Sequence, residues 1–126
     1  MLKKRVIEFA GFTLIELIVV MLLVGLLAVI AIPRFIYQTD TAQQNSTTSL
    51  AAALSAASAD NFAKRSANSA SGSAIANCTT VSSLLPSSLP TGYTITSAAI
   101  ANGATVNCTL NGPGSKTGTF VGLGIS

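Results

Sequence analysis

The chain has 126 residues and a formal net charge of +3, with seven Lys and Arg against four Asp and Glu. It contains no histidine, and Asp60 is its last acidic residue. The stretch after Asp60 therefore lacks the groups that most acid–base and metal chemistry needs. A nucleophile could be drawn from its many serines, but none has a base there, which argues against an enzyme and for no cofactor and no metal.

Three of the seven basic residues fall in the opening MLKKRVIEFAG, at Lys3, Lys4 and Arg5. A basic cluster so placed reads as a targeting signal, not a nucleic-acid footprint. From Leu17 to Ile32 every residue is apolar, counting Gly25. As a helix, Phe12 to Ile36 would span roughly 37 Å at 1.5 Å per residue. That exceeds the ~30 Å hydrocarbon layer of a bilayer. The segment is apolar all round, so it belongs in lipid or inside an assembly. Glu16 breaks the pattern, and a carboxylate in such surroundings needs a dedicated partner.

Three arrangements fit a basic leader and an apolar run. A cleaved secretory signal fits poorly, because the run is long and Pro33-Arg34 follows it directly. An uncleaved membrane anchor, held by Lys3–Arg5 on the cytoplasmic side, explains the hydrophobicity but not Glu16. The third places processing before the apolar run. Gly11-Phe12-Thr13-Leu14-Ile15-Glu16 resembles the N-terminal signal of type IV pilins and type II secretion pseudopilins. The short leader resembles that of the type IVa class.

That resemblance covers roughly residues 3–36 and carries specific implications. A prepilin peptidase would cut after Gly11 and N-methylate Phe12. Residues 1–11 would be leader, 12–36 the hydrophobic transmembrane and assembly helix, and 37–126 the exported head. The family's glutamate falls on Glu16, its helix glycine on Gly25 and its helix proline on Pro33. Pro33 removes a backbone donor and should kink the helix. Glu16 has no nearby Lys or Arg in the mature helix before Arg34. The new α-amine of Phe12 on an adjacent subunit is the available cation, and the pair would fix register. Filaments of similar pilins lose helix between the positions of Gly25 and Pro33, which implies the same here. The implied partners are identical subunits in a helical filament, prepilin peptidase, the inner-membrane assembly machinery and, before assembly, the bilayer itself. The implied location is the bacterial inner membrane, then an extracellular pilus.

Residues 34–65 continue as helix, rich in alanine. Leu50, Ala53, Leu54 and Ala57 recur at helical spacing and predict a narrow apolar stripe. Lys64 and Arg65 suit a last turn. Residues 66–77 are small and polar and read as a loop. Thr79 or Thr80 is expected to N-cap a short helix bearing Val81, Leu84 and Leu85, stopped at Pro86.

The clearest strand alternates Ala104, Val106, Cys108 and Leu110 with polar residues. Asn102-Gly103 before it predicts a two-residue hairpin. Centred there, Ala101 faces Ala104, Ala99 faces Val106, Ser97 faces Cys108 and Ile95 faces Leu110. Asn111-Gly112-Pro113-Gly114 predicts a second turn. A third strand is expected over Thr117–Ile125, with Val121, Leu123 and Ile125 inward. The expected fold class is α+β, a long N-terminal helix packed on a small C-terminal antiparallel sheet, which is also the pilin fold.

About 90 residues beyond the apolar helix make a marginal core that usually needs a staple. Cys78 and Cys108 could provide it; a two-thiol metal site lacks further ligands. A disulfide in the C-terminal half also resembles many pilins. Closing the loop between them would stabilise the head by about 3–4 kcal/mol in the chain-entropy view.

Three roles stay open on the residues: pilus subunit, secretion pseudopilin, or minor tip pilin with adhesive or DNA-uptake function. Major pseudopilins bind calcium through acidic residues near the C-terminus, which this chain lacks, so a pilin is favoured. No basic–aromatic cluster supports nucleic-acid binding. Asn77-Cys78-Thr79 and Asn107-Cys108-Thr109 match a glycosylation sequon by chance.

Overall fold

The computed structural model describes residues 11–126; residues 1–10, on which most of the expected leader 1–11 falls, lie outside the described residues. One helix, α1, runs Leu14–Ala67. Thr13 starts it: its Oγ1 accepts from the Glu16 N–H at 3.3 Å, and its carbonyl accepts from Leu17 N–H at 3.1 Å. The helix runs through Gly25 and Pro33 without a break. Lys64 and Arg65 occupy the last turn, where cations complement the free carbonyls. The chain divides into two compact units, Met1–Tyr37 and Gln38–Ser126.

In the second unit, α1 is followed by a 3₁₀ helix, Cys78–Leu84, and three strands. These are β1 (Thr94–Ile95), β2 (Thr105–Asn111) and β3 (Thr117–Leu123), antiparallel in the order β1-β2-β3. The layout is the expected α+β one. The 3₁₀ helix forms where a short helix was expected, with Val81 buried, but its cap is Asn77 and neither Thr79 nor Thr80. The Asn77 side chain accepts from Thr79 N–H at 3.0 Å.

The β2 alternation is as expected, with Cys108 and Leu110 buried and Thr105, Asn107 and Thr109 exposed. Ile95 does pair with Leu110. The rest of that hairpin register is not formed. The 102–103 turn closes with Ala104 N–H donating to Ala101 O at 3.0 Å, but only Gly103 has positive φ, at 75°. The primed hairpin turns need left-handed geometry at the first central residue, here Asn102, or at both; other turns splay the strands. Here the segment before the turn leaves β2. Ala99 pairs with Asn77, Cys78 N–H donates to Ala98 O, and Ile100 N–H donates to Ala76 O. The inward residues become Ala98 and Ile100, while Ala99 and Ala101 are exposed.

The third strand forms, but its inward face is one residue out of phase with expectation. Gly118, Phe120 and Gly122 stand opposite Leu110, Cys108 and Val106, on the core side. Val121 faces out, and Leu123 and Ile125 are half-buried. The glycines are there for space. A Cβ on Gly118 would sit 3.1 Å from Ala51 Cβ and 3.2 Å from Thr47 O. One on Gly122 would meet Ile100 Cδ1 at 2.7 Å and Cys108 Sγ at 2.9 Å.

This close approach decides the buried face of α1. It is Thr47, Ala51, Leu54, Ser58 and Asn61; of the expected stripe Leu50, Ala53, Leu54 and Ala57, only Leu54 belongs to it. Leu50 packs at the margin and Ala53 is exposed. β3 is an edge strand, and its outer backbone groups need partners. The helix supplies them. Ser55 Oγ accepts from Val121 N–H and Ser58 Oγ from Leu123 N–H, both at 2.9 Å, and Gln44 Nε2 donates to Thr117 O at 3.0 Å. Asn61 bonds both the N–H and the carbonyl of Ser73, tying down the loop after the helix.

Ser58→Ala should therefore destabilise the second unit by about 1–3 kcal/mol, because Leu123 N–H loses its acceptor in a buried place. Exposed Ala59→Ser should change stability by less than about 0.5 kcal/mol. Urea denaturation of the two variants beside the parent chain checks this ordering.

Candidate functional site

The first unit has an unusual surface. The large apolar side chains from Leu14 to Ile36 are exposed, and none of the most apolar window is buried within the chain. Burying one such side chain is worth about 1.5–3 kcal/mol, so the row demands a cover from outside the chain. α1 is long and apolar enough to cross a membrane.

The polar groups of this unit sit near its ends. Thr13-Leu14-Ile15-Glu16 has capping-box spacing, and Thr13 Oγ1 makes the expected bond to the Glu16 N–H. Glu16 thus lies in the first turn, where a carboxylate is favoured by the helix dipole by about 0.3–1 kcal/mol. That local role was readable from T-x-x-E but is easily missed when the glutamate is taken as a lone charge in lipid. Among the described residues, ion pairs join Lys64 to Asp60 at 2.6 Å and Lys116 to Asp40 at 3.5 Å. Neither Glu16 nor Arg34 belongs to one. Phe12 is exposed just before the cap. A Cβ built on Gly11 or Gly25 would meet nothing within 4 Å.

In the second unit, Cys78 and Cys108 form a disulfide with Cα atoms 5.7 Å apart, both side chains buried. It ties the start of the 3₁₀ helix to the inner face of β2. Ser82, Ser83, Ser87 and Ser88 line one surface depression together with Leu85, Pro86 and Leu89, and none of these lining side chains is titratable. Among the described residues, no three His, Cys, Asp or Glu side chains gather into a metal site.

A family model, the prokaryotic N-terminal methylation motif, matches residues 9–32. Over 47 residues the chain is 49% identical to the type IV narrow pilus major component PilA5 of Thermus thermophilus. Both matches make the N-terminal part of the chain similar to type IV pilins. The match to PilA5 takes in 37% of this chain and 40% of the relative, so it spans less than half of either. No solved structure is significantly similar to the chain. The long apolar N-terminal helix is consistent with membrane anchoring.

Reduction of Cys78–Cys108 should lower the unfolding free energy of the second unit by about 3–4 kcal/mol. Non-reducing peptide mapping should recover the two cysteines in one linked pair, and denaturation with and without reductant measures the loss.

Proposed function

We propose that this chain is a structural subunit of a type IV pilus, stored in the inner membrane and polymerised through α1. The observation that carries the reading is the uncovered apolar helix, introduced by Gly11-Phe12 and capped by Thr13. Prepilin peptidase cuts after Gly11 and N-methylates Phe12. Gly11 is exposed and has open space around it, which suits an extended substrate in a protease groove. The mature chain then starts one residue before the helix cap.

Cleavage creates an α-amine at a helix N-terminus, where the dipole disfavours positive charge. A carboxylate nearby offsets this, and Glu16 is the first-turn acid. In the filament, Glu16 of one subunit takes the Phe12 amine of another. Such a pair adds little net stability but specifies register. Gly25 and Pro33 mark the weakest part of the helix, since glycine costs about 1 kcal/mol there and proline removes a donor. Loss of helix between them would lengthen the subunit by roughly 10–15 Å, from ~1.5 to about 3.3 Å per residue. The lack of acidic residues after Asp60 favours a pilin over the calcium-binding major pseudopilins.

Two outcomes test this reading. Filaments sheared from cells should contain this chain as their main band, with the mass of residues 12–126 plus one methyl group. Retention of Met1–Gly11 would refute the processing step, and confinement to the membrane with no surface filament would refute the pilus. Gly11→Val should block maturation.

Glu16→Val should still insert, because removing a charge does not hinder entry into lipid. Filament yield should collapse, since the register pair is gone. A filament image of the parent chain should also lack continuous helix from Gly25 to Pro33. Normal yield from Glu16→Val, or unbroken helix in that image, overturns the corresponding step.

A further inference from the structure

Glu16 need not be a charge that lipid tolerates; the position of the helix cap points to a wetter place. Thr13 accepts from Glu16 and Leu17 N–H. The N–H groups of Leu14 and Ile15, just before them in the same turn, have no helical acceptor. An unsatisfied amide in hydrocarbon costs several kcal/mol, so the start of α1 belongs in a hydrated layer. Glu16 is two residues into the helix, about 3 Å along it. Its carboxylate can reach the same layer.

The other end gives an independent measure. Arg34 follows Glu16 by eighteen residues, which is about 27 Å of helix. The hydrocarbon layer is ~30 Å thick. Between the two lie only apolar residues, Leu17–Ile32, and Pro33. If Glu16 were at mid-bilayer, about 15 Å deeper, the half of the run around Ile30 and Ile32 would stand in water. Arg34 is next to exposed Phe35 and Tyr37, and Tyr37 ends the first unit. A cation flanked by aromatic rings at the end of an apolar run is the composition of a membrane–water boundary.

We propose that Leu17–Pro33 alone spans the hydrocarbon, with Glu16 in one headgroup layer and Arg34, Phe35 and Tyr37 in the other, Arg34 meeting lipid phosphate. The inference rests on the membrane-storage reading above and adds the register of the helix in the bilayer. Arg34 is exposed and in no ion pair among the described residues. Its planar fork suits a phosphate, and its stem can lie along the apolar surface. Glu16 then stays hydrated while the subunit waits in the membrane. Its desolvation is incurred only on entry into the filament, together with the gain of a partner.

The chain has no tryptophan, so single substitutions report depth cleanly. Full-length Ile15→Trp, Val24→Trp and Phe35→Trp variants are reconstituted in phosphatidylcholine vesicles, with and without phosphatidylglycerol. Lipids brominated at different acyl positions serve as quenchers. Ile15→Trp and Phe35→Trp should be quenched most by the shallowest bromines, and Val24→Trp by the deepest. Adding Arg34→Gln to Phe35→Trp should abolish any shift toward the surface that phosphatidylglycerol produces. Deep quenching of Ile15→Trp with shallow quenching of Val24→Trp overturns this register while leaving membrane storage intact. No acyl-chain quenching of Val24→Trp removes the membrane reading itself. A Phe35→Trp depth that ignores both phosphatidylglycerol and Arg34→Gln overturns the phosphate contact.

Discussion

The constraint on which everything else depends is the row of apolar side chains that the chain itself leaves uncovered. From Leu14 to Ile36 the large side chains of α1 face outward. Lipid and neighbouring helices can both cover such a row, and both are dry. In a dry setting each backbone N–H and carbonyl must be satisfied within its own segment, which helix alone achieves for a single strand of chain. The composition thus selects the helix, and the helix leaves only its ends and its polar exceptions to be explained. Thr13 answers for the start, while Glu16 and Arg34 delimit the run.

The second unit solves a different problem with little material. Its buried apolar set is small, including Phe120, Leu54, Ile75, Leu110 and Val81, together with the two bonded cysteines. A core this size leaves a narrow margin against chain entropy. The fold widens it by bringing β3 against α1 with glycine facing the helix. Ser55 and Ser58 then reach the strand's edge and act as hydrogen-bond partners that a fourth strand would otherwise provide. Covering the edge also removes a template for unwanted strand pairing. The disulfide constrains what the small core cannot.

These devices explain which parts of the fold were legible in the sequence. The apolar run announced α1, the strict alternation from Ala104 to Leu110 announced β2, and Ile95↔Leu110 followed from counting outward from Asn102-Gly103. The remainder was hidden for physical reasons. β3 reads as Val121, Leu123 and Ile125 inward because its true inward residues are mostly glycine, which carries no hydrophobic signal. The buried helix face is Thr47, Ser58 and Asn61 as much as Leu54, so an apolar stripe is the wrong template for it. The hairpin register failed beyond Thr96 because a turn with left-handed geometry only at Gly103 does not keep the strands together. At the N-terminal site the apolar run and the motif were plain, whereas Thr13 as the helix cap was overlooked beside the more conspicuous Glu16.

The glycines separate what this chain needs for itself from what it needs for others. Gly118 and Gly122 are enclosed: a single added carbon would press on Thr47 and Ala51, or on Ile100 and Cys108. Their absence of side chain is a requirement of the fold. Gly25 is the opposite case. It lies mid-helix with nothing within 4 Å of a Cβ, and in that place it weakens the helix by about 1 kcal/mol relative to alanine. Among the described residues nothing repays that cost. The return must come from contacts the isolated chain does not make, where small residues let helices approach closely or where a weak turn lets the helix open. The same reasoning applies to Pro33, which removes a backbone donor from a helix that is otherwise continuous. Two residues that a solitary helix would be better without, one inside the apolar run and one at its end, support the assembly role proposed for this segment.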